Sequence, residues 1–152
     1  MKRQISNIEE SGRQKYILFI NGEVYASLYR GEVRRLKLET GMEWTEALEA
    51  EVESVLYKRG KERSLYLLQQ RAYTRAELRN KLHQNGYAYT VIEKILHFLQ
   101  DYSFLDDRQY AEAYVHSHEN RYSRKQMKLK LLQKGLDKAV IEDVLTASEN
   151  PE

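Results

Sequence analysis

The sequence contains no cysteine and no apolar run longer than the five residues at 16–20. Without cysteine there is no disulfide and no thiolate metal site, which fits a reducing compartment. Five apolar residues cannot cross a bilayer, which takes about 20 in a helix. Met1-Lys2-Arg3-Gln4 leads into no apolar stretch, so the expectation is of no secretory signal and a cytoplasmic location. Familiar catalytic spacings are missing too: no HExxH, phosphate loop, dinucleotide fingerprint, GxSxG or cysteine nucleophile. His116 and His118 diverge on a helix, and His83 and His97 stand alone. The expectation is of no enzyme, no catalytic or metal-ligating residue and no cofactor.

The 152 residues suit one compact domain or two small ones, and 41% hydrophobic content allows a real but thin core. Charged residues reach 32%, above the usual quarter. The net charge of +2 conceals a block pattern. Residues 57–100 hold nine Lys/Arg against Glu62, Glu77 and Glu93, and residues 122–145 hold six against Asp137, Glu142 and Asp143. Residues 101–121 between them are acidic, as is the cluster Glu46, Glu49, Glu51 and Glu53. Basic blocks on separate elements fit a polyanion or an acidic partner, and equally a solvated helix face.

Residues 15–20 and 23–28 are β-rich runs joined by Asn21-Gly22. An Asn-Gly there predicts a hairpin, because a type I′ turn needs positive φ at both central residues. Ile5 and Ile8 are candidates for a third strand, since a lone hairpin is marginal in water. Residues 30–38 fit a short helix or a strand. Thr45 can cap a helix burying Leu48, Val52, Val55 and Leu56. Gly60 is expected to interrupt or end it, with a second helix over 62–70 turning Leu65 and Leu68 inward.

An internal repeat follows. Residues 73–96 align with 122–145 at an offset of 49 without a gap, and ten of 24 positions are identical, among them Tyr73/Tyr122, Arg75/Arg124, Lys81/Lys130 and Gly86/Gly135. Such a period is typical of helical repeats. Thr74-Arg-Ala-Glu77 and Ser123-Arg-Lys-Gln126 both read as capping boxes. Each helix then buries Leu78 and Leu82, or Met127 and Leu131, and stops at a glycine suited to the left-handed C′ conformation. A further helix buries Ile92, Ile95, Leu96 and Leu99, or Ile141, Val144 and Leu145. In the second copy a preceding helix starts at Leu105-Asp106-Asp107, where either aspartate can cap it, and turns Ala111, Tyr114 and Val115 inward. The expected fold is mainly α: tandem three-helix repeats over 44–100 and 101–147, a small β-hairpin extension at 1–43, and a tail at 148–152.

Tyr73-Thr-Arg-Ala-Glu-Leu-Arg-Asn-Lys-Leu82, Gly86-Tyr87, Leu105-Asp-Asp-Arg-Gln-Tyr-Ala111 and Lys134-Gly135 together are similar to the signature of the RecX regulatory family. The likeness covers about 61–145, and the N-terminal region looks like the extension of some members. It implies tandem three-helix repeats that bind in the groove of the RecA–DNA filament and modulate, usually inhibit, the recombinase, with no catalytic residues of their own. Most members carry a third repeat. The second repeat closes near Leu145, and with the sequence running to Glu152 the expectation is of two.

The residues themselves nominate a binding surface. Arg75 and Arg79 lie one helical turn apart, and Arg124 and Lys128 occupy the same stripe in the second copy. Matched basic stripes suit a partner with its own regular spacing, such as a filament or a phosphate backbone. Arg71, Lys81, Arg121, Lys125, Lys130 and Lys134 extend the candidate surface, with Lys81 also placed for an i,i+4 pair with Glu77. Tyr73 and Tyr122, just before the caps, can be hydrophobic staples against Leu78 and Met127 or stacking platforms for bases, and Trp44 reads as a staple too. The aspartates at 106 and 107 can be caps or, with further ligands, a metal site. The expected partner is the RecA filament, with single- or double-stranded DNA as a further candidate, no membrane, and a monomeric chain. The competing reading is a DNA-binding helical module acting without recombinase.

Overall fold

A computed structural model describes residues 2–149. Three antiparallel strands, β1 (Ile5–Gly12), β2 (Lys15–Ile20) and β3 (Glu23–Tyr29), pair in sequence order. Asn21 and Gly22 have φ of 49° and 82°, the pair of positive values the hairpin requires. Alternation puts Ile5, Leu18, Ile20, Ala26 and Leu28 on one buried face. The ambiguous segment after β3 opens with a helix, α1 (Arg30–Arg35).

Six longer helices follow: α2 (Glu46–Gln70), α3 (Arg75–Gln84), α4 (Tyr89–Asp101), α5 (Asp107–His118), α6 (Arg124–Gln133) and α7 (Lys138–Glu149). They form the two three-helix repeats, with α3 and α6 offset by 49 residues at both ends. The fold is thus mainly α, behind a small N-terminal sheet. Of the expected tail, Ser148 and Glu149 belong to α7, and 150–152 lie outside the described residues. Among the described residues no helix is long and apolar enough to cross a membrane.

The chain forms two compact units. One comprises the residues up to Ser64 together with Lys81–Ile95, the other Leu65–Asn80 together with the residues from Leu96 onward. In the second, Ala111, Val115, Met127, Leu131, Leu136, Ile141, Val144 and Leu145 make one core cluster, with Tyr110, Tyr114, Tyr122 and Val140 against it. The anticipated inward positions of α3 and α4 are likewise buried, Leu78 and Leu82 completely.

Gly60 corrects one expectation. It neither interrupts nor ends a helix, and α2 runs through it for 25 residues. Val52, Leu56, Gly60 and Ser64 form an unbroken buried stripe at four-residue spacing. The glycine permits close approach: a Cβ there would lie 2.3 Å from Ile95 Cδ1 and 3.1 Å from Tyr87 Cε1. Ser64 donates its hydroxyl to Gly60 O at 2.8 Å, so the stripe buries a satisfied polar group. Further along, Leu67 is the buried leucine, while Leu65 and Leu68 are half-buried.

Thr45 caps α2 as expected, its Oγ1 accepting from Leu48 N at 3.1 Å. Trp44 is buried but is no hydrophobic staple. The fourth helical position is Glu49, which accepts the indole N–H at 3.2 Å, while the ring meets Tyr25 edge-on at 5.0 Å. The Tyr25 hydroxyl is buried with no hydrogen-bond partner among the described residues. Burial, followed by the charges of Glu53 and Glu49, raises its pKa above the ordinary tyrosine value.

Gly60→Ala gains about 1 kcal/mol of helix propensity but incurs roughly 1–3 kcal/mol of overpacking against a fully buried Ile95, so urea denaturation should show net destabilisation. Because Tyr25 is harder to ionise folded than unfolded, its stabilising contribution holds below pH ~10 and is lost as pH rises beyond it. Tyr25→Phe should leave stability at pH 7 undiminished and reduce the alkaline loss, measured by thermal melts between pH 8 and 11.

Candidate functional site

Both capping boxes form. In α3, Glu77 N donates to Thr74 Oγ1 at 3.1 Å and Thr74 N to Glu77 Oε1 at 3.0 Å. In α6, Gln126 N donates to Ser123 Oγ at 3.1 Å and Ser123 N to Gln126 Oε1 at 2.8 Å. Both helices close with the same glycine motif. Gly86 (φ 86°) donates to His83 O and Tyr87 N to Leu82 O; Gly135 (φ 85°) donates to Leu132 O and Leu136 N to Leu131 O.

In the second unit the separate motifs converge on the first turn of α3. Thr74 is fully buried, and its hydroxyl, besides accepting within its own cap, donates to Lys134 O at 2.7 Å. Gly135, the next residue, lies so close that a Cβ on it would be 2.4 Å from Ala76 Cβ. The two aspartates divide the capping. Asp106 caps its own helix, accepting from Gln109 N at 3.0 Å, while Asp107 accepts from Arg75 N at 2.8 Å. Both carboxylates therefore sit on helix N-terminal amides, where negative charge is favoured. Among the described residues no group of three or more His, Cys, Asp or Glu is arranged to hold a metal ion.

Of the ten nominated cations, Lys81 belongs to the first unit and the other nine to the second. The side chains of Arg75, Arg124 and Lys128 are tied within their own repeats. Arg75 Nε donates to Gln100 Oε1 at 3.0 Å, and Arg124 Nε pairs with Glu149 Oε1 at 2.6 Å; Gln100 and Glu149 are themselves 49 residues apart. Arg124 also donates to Ser148 Oγ at 3.2 Å and to Leu145 O. Lys128 Nζ pairs with Glu142 Oε1 at 3.0 Å, and that hydrogen bond and charge lower the Glu142 pKa below the usual carboxylate value. Glu77 lies 3.6 Å from Arg71 and 3.9 Å from Lys134, and its Oε1 accepts from Thr74 N. Arg79 is half-buried.

Aromatic rings organise the rest. The Arg71 guanidinium lies 3.7 Å from the Tyr73 ring centroid. Tyr114, His118 and Tyr122 form a ladder, with centroids 4.0 and 5.4 Å apart and near-parallel planes, and Lys130 Nζ is 4.9 Å from the Tyr122 ring. Arg121 lies 5.8 Å from the same ring. Tyr122 is half-buried against the cluster containing Met127, as a staple would be.

The outer face of α6 adds two residues that the charge pattern does not nominate. Ser123, Lys125, Gln126, Lys128, Leu129 and Leu132 line a shallow groove along this helix. Leu129 and Leu132 are 57% and 40% exposed. The sequence holds a signal for them: with Met127 and Leu131 inward, a leucine two residues on from Met127 must face away.

Removing the Asp107 carboxylate leaves Arg75 N without its partner. Asp107→Ala should lower stability by about 1 kcal/mol in chemical denaturation, with helicity retained, and EDTA should leave the wild-type melt unchanged.

The family model described as the RecX second three-helix domain matches residues 106–145, and that for the RecX first three-helix domain matches 61–99. The regulatory protein RecX of Clostridium tetani (strain Massachusetts / E88) is 28% identical over 141 residues, covering 91% of this chain and 64% of that protein. The Clostridium acetobutylicum regulatory protein RecX is 30% identical over 95 residues, covering 62% of this chain and 44% of that one. The chain thus spans less than two thirds of the length of these relatives. A crystal structure of regulatory protein RecX superposes with a TM-score of 0.61 at 25% identity, covering 95% of this chain and 73% of that one. RecX from Lactobacillus salivarius gives 0.60 at 30% identity, covering 62% of each chain. Two consecutive domain models, falling on the two observed three-helix repeats, show that the chain belongs to the RecX family of regulatory proteins.

Proposed function

We propose that this protein acts by binding rather than catalysis, and that it restrains a RecA-type recombinase by docking on its DNA filament. The recombinase is inferred from the family. The observation that carries the reading is the exposed α6 face, where Leu129 and Leu132 stand beside Lys125 and Lys128. Exposed leucines flanked by cations suit a protein surface with an acidic rim, and contacts of this kind gain from apolar burial and electrostatic steering together. The alternative, a helix inserted into bare duplex, is disfavoured because Leu129 and Leu132 could meet at most thymine methyls and would leave the base-edge donors and acceptors beneath them unpaired.

Within this reading the nominated cations have different roles. Arg75 and Arg124 hold the ends of their repeats together, and Lys128 is paired across to α7. Lys125 is exposed in the α6 groove, and Arg121, Lys130 and Arg71 stand on tyrosine rings nearby in sequence. Arg79, Lys81 and Lys134 add positive charge. No cofactor is needed, and the protein is expected to work in the cytoplasm.

The test is inhibition of single-strand-dependent RecA ATPase. Wild type should inhibit below one protein per recombinase subunit. Lys125→Glu with Leu129→Asp should raise the half-inhibitory concentration about tenfold or more, with far-UV circular dichroism unchanged. Equal inhibition by this double variant would remove the α6 face from the mechanism.

A further inference from the structure

The first unit holds a second site, unrelated to the α6 face and independent of the recombinase reading. A cleft of about 390 Å³ opens between β2–β3, α2 and the turn after α3. That volume lies within the range of small-ligand pockets. Its lining includes Lys15, Tyr29, Arg59, Arg63, Asn85 and Tyr87. Three cations face it, and the lining contributes no carboxylate.

The cleft is built around Arg59. Its guanidinium makes a two-point bond to Glu32, Nε to Oε2 at 2.9 Å and Nη2 to Oε1 at 3.0 Å, and Nη2 also donates to Ser27 O at 3.1 Å. The Tyr29 and Tyr87 ring centroids lie 4.7 and 4.9 Å from its Cζ. Glu32 in turn accepts from Tyr29 N at 2.8 Å. The strand end, the start of α1 and the middle of α2 are thus locked together, so the walls are preformed. Ser27 N donates to Gly86 O at 2.7 Å and fixes the remaining wall.

Even with Glu32 set behind Arg59, the lining itself is positive, because Lys15 and Arg63 stand on it and no acid does. Arg63 Nε is held on Asn85 Oδ1 at 3.3 Å, which orients its guanidinium. Lys15 Nζ stands 5.9 Å from the Tyr29 centroid. Tyr29 itself remains 43% exposed. Cations, side-chain amides and an accessible aromatic ring match the parts of a nucleotide: an oxyanion, polar base edges and a π-face. A carboxylate-bearing peptide would meet the charge, but only a nucleotide carries its anion and its flat π-face in one small unit.

We propose that this cleft binds the phosphate of a nucleotide through Lys15 and Arg63, with Tyr29 stacking on the base. The nucleotide can be free or part of a single strand. The test uses the full chain in calorimetric and fluorescence titrations with dTMP, a dT15 oligonucleotide and inorganic pyrophosphate. Lys15→Gln and Arg63→Gln should each weaken nucleotide binding about tenfold, and each should flatten the salt dependence for dT15 by about 0.7 of a log unit per log unit of salt. Tyr29→Leu should weaken dTMP and dT15 about fivefold or more and leave pyrophosphate unaffected. Equal affinity for dTMP and dT15 identifies a free nucleotide as the ligand, and a large gain for dT15 identifies a strand. Lys15 is exposed on a strand end, so its variant should fold even if that of Arg63 does not. The absence of saturable binding to either nucleotide, or wild-type binding by a folded Lys15→Gln variant, would overturn the proposal.

Discussion

The first turn of α3 concentrates the demands of the second unit. A helix start leaves four amide donors without intrahelical partners, and this one lies half-buried behind a fully buried Thr74, with side chains as partners for two of them. Thr74 Oγ1 takes one donor and Asp107, 32 residues on from Arg75, takes another. The same threonine hydroxyl gives its proton to Lys134 O, 60 residues on. One buried side chain therefore ties the first repeat's cap to the close of α6, and only a hydroxyl can both accept and donate there. Serine would keep both bonds with less buried apolar volume, and valine would lose them.

This convergence gives physical content to the family signature. A capped Thr-x-x-Glu, a Leu-Asp-Asp step and a Lys-Gly pair are scattered along the chain, yet each places an atom at one helix end. Leu105 is buried beneath the step, Asp106 caps its own helix, and Asp107 reaches its neighbour. What these residues do in the fold is supply partners to backbone donors.

Much of the scaffold is legible in the sequence because its signals are short-range. Asn21-Gly22, the two capping boxes and the two terminating glycines each act within four residues, and each forms in the fold. Gly60 misleads because the low helix propensity of glycine says nothing about what packs on it, and here the absence of a side chain admits Ile95 and Tyr87. The arginines at 75 and 124 are equivalent, as the repeat implies, but equivalence also applies to their partners. Gln100 and Glu149 repeat with them, so periodicity alone does not distinguish an outward stripe from a repeated internal tie. The Arg59 cleft is not legible at all. Its members come from β2, β3, α2 and the turn after α3, and only tertiary folding brings them together.

The two terminating glycines are also contact points, and they meet different neighbours. A Cβ on Gly86 would fall 2.1 Å from Ser27 Oγ on a strand, and one on Gly135 would fall 2.4 Å from Ala76 Cβ on a helix. The same turn has thus been set against sheet in one case and helix in the other, with a small residue opposite each time. What the seam requires is volume rather than identity. Positions 27 and 76 should therefore accept only Gly, Ala or Ser across natural variation.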